Sequence, residues 1–205
     1  MLIGICGKAG SGKDSFADVL VSRFRFFKYS LAKPIKDIAI NTFGFTKEQV
    51  YKDKETLDEY WQITPREFLQ KVGTDMFRNV WRTDVWVKLS EREIVQKLVD
   101  RRHVVVPDVR FANEAELIHR LGGALIRVAR PVYEERVNVS GRSTFVRRPG
   151  LSAQTSSHES ENDTLDKYID YEYDNRGTLE KLEKDAIDLY YAIKLRQKND
   201  KNNKA

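Results

Sequence analysis

Short apolar runs alternate with stretches of helical periodicity along most of the chain. The run at 2–6 leads into glycine-rich sequence, and residues 14–24 then place apolar side chains at helical spacing. Three consecutive valines at 104–106, flanked by charged residues, are typical of a parallel strand covered on both faces. This alternation predicts an α/β fold with a mostly parallel sheet, right-handed crossovers and a ligand site at the carboxyl ends of the strands.

The same patterns predict the remaining elements. Further strands are expected at 26–30, 124–131 and 168–175. Helices are expected at 33–43, 47–60, 113–123 and 177–195, and one more begins at Thr64, where Thr-Pro-Arg-Glu matches a capping box. Residues 131–136 read as a short helix, 138–163 as a mobile segment without apolar periodicity, and the charged end from Arg196 as a solvated tail.

Length and composition favour one soluble domain. The chain has 205 residues, of which 40% are hydrophobic, and contains no apolar run of membrane-spanning length. The apolar start at 1–6 is too short for a secretory signal and reads as a first strand. A single cysteine, Cys6, excludes an internal disulfide framework and a cysteine-rich metal site. We expect a cytoplasmic protein, with Cys6 as a core residue.

The distribution of positive charge suits an anionic ligand. The formal net charge is +5, but no lysine occurs between Lys97 and Lys167, an interval that holds ten arginines. Because the guanidinium fork can clasp a phosphate with two hydrogen bonds, an arginine-only interval favours phosphate binding. A solvated face or a nucleic-acid patch is the alternative interpretation.

The strongest chemical motif is the glycine-rich segment "GICGKAGSGKDSF" at 4–16. The spacing Gly7-x4-Gly12-Lys13, between an apolar strand and an amphipathic helix, fits a phosphate-binding loop. Its glycines allow backbone N–H groups to converge on a phosphate, and Lys13 would reach the β- and γ-phosphates. Asp14 stands where Ser or Thr is expected, so Ser15 becomes the candidate for phosphate or Mg²⁺ contact.

Few other side chains suggest catalysis. Asp108, just after the valine strand, is a candidate Mg²⁺ ligand, directly or through water, or else a turn aspartate. Histidines 103, 119 and 158 are scattered, and the first two are expected in structural or surface roles. Phosphoryl transfer depends on positioning and charge neutralisation, so it needs no paired carboxylates or Cys/His constellation.

Six segments resemble the deoxynucleoside monophosphate kinases of tailed bacteriophages, within the adenylate-kinase-like P-loop kinases. In chain order they are "GSGKDS", "SLAKPIKD", "TPREFLQKVGTDMFR", "PDVRFANEAELI", "HESE" and "DYEYDNRGTLEKL". In that family Gly-Lys-Asp precedes Thr or Ser, which agrees with Asp14 here. The resemblance implies a three-layer P-loop kinase fold with a five-stranded parallel sheet. It implies a single domain at 1–197, with a monophosphate-binding insertion at about 45–100, a lid at about 130–163 and a disordered tail at 198–205.

The resemblance also implies roles for individual residues. ATP would contact Gly10, Ser11, Gly12, Lys13, Asp14 and Ser15, with Asn175 and Gly177 at the adenine edge, although Asn-x-Gly is also a common turn. The monophosphate would contact Lys33, Arg66, Gln70, Gly73, Thr74, Arg78, Asp108 and Arg110. Mg²⁺ would be held by Ser15 and Asp108. Lys13, Arg130 and Arg136 would act on the transferred phosphate, while the roles of His158 and Glu161 stay open.

The alternatives for these assignments are structural. An amphipathic helix pair is the alternative interpretation of residues 64–78, and a surface salt bridge is the alternative for Arg110. The function implied is transfer of the γ-phosphoryl group of MgATP to a deoxynucleoside monophosphate, with no nucleic-acid or membrane partner and with a suggestion of a homodimer. The alternatives are a P-loop kinase of another acceptor, such as dephospho-coenzyme A or phosphomevalonate, and an ATP-dependent nucleic-acid-binding module.

Overall fold

A computed structural model describes residues 1–130, 134–139, 142–147 and 163–202, with side chains described for 1–130 and 165–199. The chain contains two compact units. The first combines Met1–Lys28 with His103–Ala205, and the second is Tyr29–Arg102. The monophosphate-binding insertion at about 45–100 lies within the range of the second unit and stays a prediction.

The first unit is built on a parallel five-stranded sheet. Its strands are β1 (Leu2–Cys6), β2 (Phe27–Lys28), β3 (Val104–Val106), β4 (Ala124–Ala129) and β7 (Tyr171–Asp174). Their order is β2-β3-β1-β4-β7, so β1 lies at the centre. Because β1 pairs in parallel with both β3 and β4, the segments that follow these strands emerge at one edge of the sheet.

Apolar side chains on both faces of β1 explain its central place. All five residues of β1 and all three of β3 are buried, as the near-continuous apolar runs predict. The helices of this unit are α1 (Lys13–Phe24), α6 (Ala112–Arg120) and α7 (Leu179–Asn202). Phe16 and Leu20 of α1 and Ala186 of α7 are fully buried and belong to one core cluster with the sheet.

The second unit is helical. Its helices are α2 (Lys33–Asn41), α3 (Lys47–Tyr51), α4 (Pro65–Gln70), a π-helix (Lys71–Trp81) and α5 (Val85–Val99). Their core contains Phe45, Val50 and Phe68. Thr64 caps α4 by accepting a hydrogen bond from the Glu67 N–H, as predicted.

Several predicted boundaries are wrong. The helix expected over 47–60 ends at Tyr51, and the helix that begins after Thr64 widens to π geometry at Lys71. The short helix expected at 131–136 is wrong where the structure describes it: β5 (Glu134–Val139) pairs antiparallel with β6 (Arg142–Arg147). Valines alternating with polar residues suit such a hairpin.

The end of the chain also differs from the prediction. Helix α7 continues to Asn202, past the helix end predicted at Leu195, and most of the described residues from Arg196 to Asn199 are exposed, as expected for a solvated tail. Arg196, Gln197 and Lys198 have straight side chains that favour helix, which explains the extension. A 3₁₀-helix (Asp163–Tyr168) precedes β7. Within the described part of the chain, no helix is both long and apolar enough to span a membrane.

Candidate active site

The segment between β1 and α1 forms a small cleft at the carboxyl edge of the sheet. The cleft has a volume of about 230 Å³ and is lined by Gly10, Gly12, Lys13, Asp14, Ser15 and Arg130. Helix α1 begins at Lys13, and no side chain caps it at Gly12. Its first-turn N–H groups and the positive end of its dipole are therefore available to an anion.

Two glycines of this loop are required by the backbone. Gly7 has φ of 148°, and an added Cβ would lie 2.2 Å from the Val128 carbonyl oxygen of β4. Gly12 has φ of 97°, and an added Cβ would lie 2.3 Å from Nδ2 of Asn175. Any side chain at either position would displace the loop from the neighbouring strand ends, which accounts for these glycines independently of the motif.

Asn175 supports the loop from the turn after β7. Its side chain is only 5% exposed, and Nδ2 donates a hydrogen bond of 2.9 Å to the Ser11 carbonyl. Its own N–H donates to the Ala129 carbonyl at 2.7 Å. The Asn175 amide therefore contacts the backbone of the loop, whereas the sequence predicted a contact with the adenine edge. Gly177, two residues later, stays a predicted adenine contact.

Asp14 is turned toward Lys28 at the end of β2. Oδ1 of Asp14 lies 3.4 Å from Nζ of Lys28, and its Oδ2 lies 3.8 Å from Nζ of Lys13. Lys28 also donates a hydrogen bond of 2.9 Å to Asp18. Burial opposes the charged form of Lys28, yet the hydrogen bond to Asp18 and the two carboxylates raise the pKa of Lys28 above its ordinary value.

The loop fits a polyphosphate and its metal ion. Ser11 is buried, and its Oγ has no hydrogen-bond partner among the described residues. Such an orphaned hydroxyl beside a cradle of N–H groups suits an acceptor-rich ligand. Among the described residues no group of three or more His, Cys, Asp or Glu could hold a metal ion by itself. Mg²⁺ bound to nucleotide phosphates needs few protein ligands, and the Ser15 hydroxyl lines the cleft.

Asp108 and Arg110 follow β3, at the same edge of the sheet as the loop. The Val109 N–H donates to the Ile5 carbonyl of β1, which fixes this turn. The buried carboxylate of Glu114 accepts hydrogen bonds from the N–H groups of Arg110 and Phe111, at 2.7 and 3.1 Å. The Arg110 side chain is exposed, so its backbone is held while its guanidinium stays accessible.

The residues predicted to bind the monophosphate from the second unit differ in their surroundings. The Nζ of Lys33 lies 2.6 Å from Oδ2 of Asp37 and 3.7 Å from Oε2 of Glu93. The hydrogen bond to Asp37 raises the pKa of Lys33. Arg66 is exposed and pairs with Glu55, whereas Arg78 is only 7% exposed.

Gln70 ends α4, and Gly73 and Thr74 lie in the π-helix. The indole of Trp86 donates a hydrogen bond of 2.8 Å to the Gly73 carbonyl. These residues share a helical segment, and their contact with a monophosphate stays a prediction.

Two arginines, Arg130 and Arg136, are predicted to act on the transferred phosphate. Arg130 reaches the loop cleft from the end of β4. Arg127, three residues earlier and within β4, forms ion pairs with Asp166 and Glu172. The side chain of Arg136 lies outside the described residues, as do His158 and Glu161. Arg136 itself is in strand β5, so the helix that was expected to present it is wrong.

Three structural contacts were missing from the sequence predictions. These are Lys28 beside Asp14, the Glu114 cap below Arg110, and Asp166 beside Arg127. A signal existed for Lys28, because it ends a parallel strand and so belongs to the same edge of the sheet as the loop.

Cys6 is buried in β1, as expected, and burial raises the pKa of its thiol despite the opposing effect of the Arg127 guanidinium.

Comparison with known proteins agrees with this geometry. The profile of the deoxynucleotide monophosphate kinase family matches residues 1–59 and 45–168. A protein of Acanthamoeba polyphaga mimivirus, provisionally named deoxynucleotide monophosphate kinase, is 38% identical over 145 residues, covering 64% of this chain and 75% of the relative. The deoxynucleoside-5'-monophosphate kinase of Escherichia phage T5 is 24% identical over 184 residues, covering 58% of this chain and 71% of the relative.

Among solved structures, TT1252 from Thermus thermophilus superposes with a TM-score of 0.52 at 20% identity, covering 94% of this chain and 96% of that one. This likeness concerns the fold alone. The parallel five-stranded sheet with flanking helices and the loop before α1 agree with a P-loop kinase fold, and kinase relatives identify an ATP-dependent phosphotransferase. Because the family profile spans most of the sequence, the chain belongs to the deoxynucleotide monophosphate kinase family.

Proposed function

We propose that the protein transfers the γ-phosphoryl group of MgATP to a deoxynucleoside monophosphate, giving ADP and the deoxynucleoside diphosphate. The observation that carries the proposal is the cleft at the start of α1, where Lys13 and Arg130 lie with the uncapped helix N-terminus. Family membership supplies the acceptor class.

The donor phosphates would lie in the loop cleft. The N–H groups of the first turn of α1 would bind phosphate oxygens, and the Lys13 ammonium, whose side chain is 15% exposed, would neutralise the β- and γ-phosphates. Arg130 would stabilise the charge that develops on the transferred group. All three contributions are electrostatic, as expected for a reaction in which the protein mainly positions charge.

Mg²⁺ would be held by the Ser15 hydroxyl and the Asp108 carboxylate, directly or through water. When bound, Mg²⁺ neutralises phosphate charge. The chain would contribute these two oxygen ligands, on a loop that is fixed by the strand ends behind it.

In the first unit, Arg110 would contact the acceptor monophosphate. For Arg66, Gln70 and Arg78, which belong to the second unit, contact with the monophosphate stays a prediction. The Arg110 guanidinium is exposed on a backbone capped by Glu114, which suits a group that must meet an incoming phosphate. Arg66 already pairs with a carboxylate, so monophosphate binding there requires exchange of Glu55 for phosphate.

The direct test is an ADP-release assay with MgATP against dGMP, dTMP, dCMP, dAMP, the matching ribonucleotides and dephospho-coenzyme A. Turnover confined to deoxynucleoside monophosphates is expected. Lys13→Ala should lower kcat/KM by about 100-fold or more, with an unchanged far-ultraviolet spectrum and melting temperature. Turnover on dephospho-coenzyme A and none on any nucleotide would refute the proposed acceptor.

A further inference from the structure

A carboxylate in the wall of the loop cleft is electrostatically out of place. Asp14 lines the same cleft as Lys13 and Arg130, and its side chain is 67% exposed. A polyphosphate in that cleft would be repelled by an ionised Asp14. The carboxylate would also attract the Lys13 ammonium, which is needed for phosphate.

Lys28 is placed to relieve both effects. Its Nζ lies 3.4 Å from Oδ1 of Asp14, whereas the Lys13 Nζ lies farther away, 3.8 Å from Oδ2. Asp18, one helical turn after Asp14, fixes the Lys28 ammonium with a hydrogen bond of 2.9 Å. The Lys28 side chain is 34% exposed, so its charge is only partly screened by water.

The strand that carries Lys28 explains its location. Phe27 and Lys28 form β2, which pairs in parallel with β3, so Lys28 ends at the edge where the loop lies. The Phe27 N–H donates to the His103 carbonyl at 2.7 Å and anchors that strand. Lys28 is therefore a fixed cation beside α1.

We propose that Lys28 is a positioning residue that neutralises Asp14 and draws its carboxylate away from Lys13, which keeps the Lys13 ammonium available for the donor phosphates. Lys28 acts through Asp14 and does not itself bind nucleotide. The inference rests on the proposed binding of a triphosphate in the loop.

A double-mutant cycle tests the dependence on Asp14. Lys28→Gln removes the charge at similar length, Asp14→Asn removes the carboxylate, and the double variant removes both. Lys28→Gln is expected to weaken triphosphate binding by about threefold to tenfold, a modest effect because both side chains are partly exposed. In the Asp14→Asn background the same change should alter binding by less than about twofold. Lys28→Arg, which keeps the charge, should retain near-wild-type affinity.

The measurement is calorimetric binding of inorganic tripolyphosphate with Mg²⁺, alongside the KM for MgATP and thermal melting. Lys52→Gln is the matched control, since Lys52 forms a comparable exposed pair with Glu48 at 3.2 Å. The proposal would be overturned if Lys28→Gln lowered tripolyphosphate affinity equally in the wild-type and Asp14→Asn backgrounds. It would also be overturned if Lys28→Gln lowered that affinity in neither background. Tripolyphosphate binding needs no acceptor, so a wrong acceptor assignment would abolish turnover without changing this cycle.

Discussion

Replacing Asn175 should weaken ATP binding although its side chain faces the interior. The amide donates to the Ser11 carbonyl at 2.9 Å, and its nitrogen lies 2.3 Å from the position that a Cβ on Gly12 would take. Asn175→Ala removes this support, and Asn175→Asp keeps the shape but replaces the donor by an acceptor. The two variants together separate lost volume from a lost hydrogen bond.

The size of the effect follows from burial. Asn175 and Ser11 are 5% and 3% exposed, so water does not readily replace the lost donor. Leaving a buried carbonyl without a partner costs about 1–3 kcal/mol. If the loop relieves that cost by shifting, triphosphate affinity falls by about 5- to 140-fold, at 1.4 kcal/mol per factor of ten. Asn175→Asp should lose more at pH 7.5, because an ionised carboxylate would face a carbonyl oxygen in a buried site.

The assay is the KM for MgATP and the kcat at pH 7.5 and pH 5.5, with thermal melts of each variant. Burial favours the neutral form of the introduced carboxyl, whose O–H can donate to Ser11, so Asn175→Asp should recover part of its ATP affinity at pH 5.5. Asn199→Asp, an exposed change of the same type on α7, should match the wild type at both pH values. Equal losses in the two Asn175 variants at both pH values would refute the hydrogen-bond explanation.

Three further substitutions give distinct signatures. Arg110→Lys should raise the KM for the monophosphate about tenfold through loss of the bidentate fork, with little change in melting temperature, and unchanged kinetics would remove Arg110 from the site. Gly7→Ala should destabilise the fold by about 2 kcal/mol or more in urea unfolding, because its Cβ would meet the Val128 carbonyl, whereas Gly122→Ala, with positive φ but open space, should cost about half as much. Burial and the N-terminal amino group lower the pKa of His103, so the unfolded state binds more protons and stability falls as pH drops below 6.5. His103→Gln should flatten that fall between pH 7.5 and 5.5, and parallel stability curves would contradict the reasoning.

The sheet and the loop were predictable because their signals are local. Continuous apolar runs predicted β1 and β3, and the glycine spacing placed a phosphate-binding loop between β1 and α1. The partners of loop residues were not predictable in this way. Asn175 reaches Ser11 only because β7 pairs with β4, and that pairing is a property of the sheet order.

Other differences between prediction and structure arise because the pattern of apolar and polar residues does not specify the pitch of a helix or the hydrogen bonds of a local turn. An apolar stripe at 64–81 predicts a helix but does not distinguish α from π geometry, so the change at Lys71 was not foreseen. The segment 52–60 is predicted as helix because it is polar and has no strand signal. In the structure the Asp58 carboxylate accepts hydrogen bonds from the N–H groups of Tyr60 and Trp61 and forms a turn. Aspartate favours such local bonds over helix, which a periodicity criterion does not weigh.

The contacts around the loop have a common consequence for binding. Gly7 lies against Val128 of β4, Ser11 is fixed by Asn175 after β7, and Asp14 pairs with Lys28 of β2. Residues at the ends of three strands therefore define the loop without ligand. A loop ordered in advance loses little conformational entropy when a triphosphate binds, and its N–H groups need no reorganisation during transfer. Changes to these supporting residues should therefore appear mainly as weaker triphosphate binding. Changes to Arg130, which would meet the transferred group, should appear mainly in kcat, whereas changes to Lys13, which would bind the donor phosphates as well, should appear in both binding and kcat. The ratio of the two effects distinguishes residues that build the loop from residues that act on phosphate.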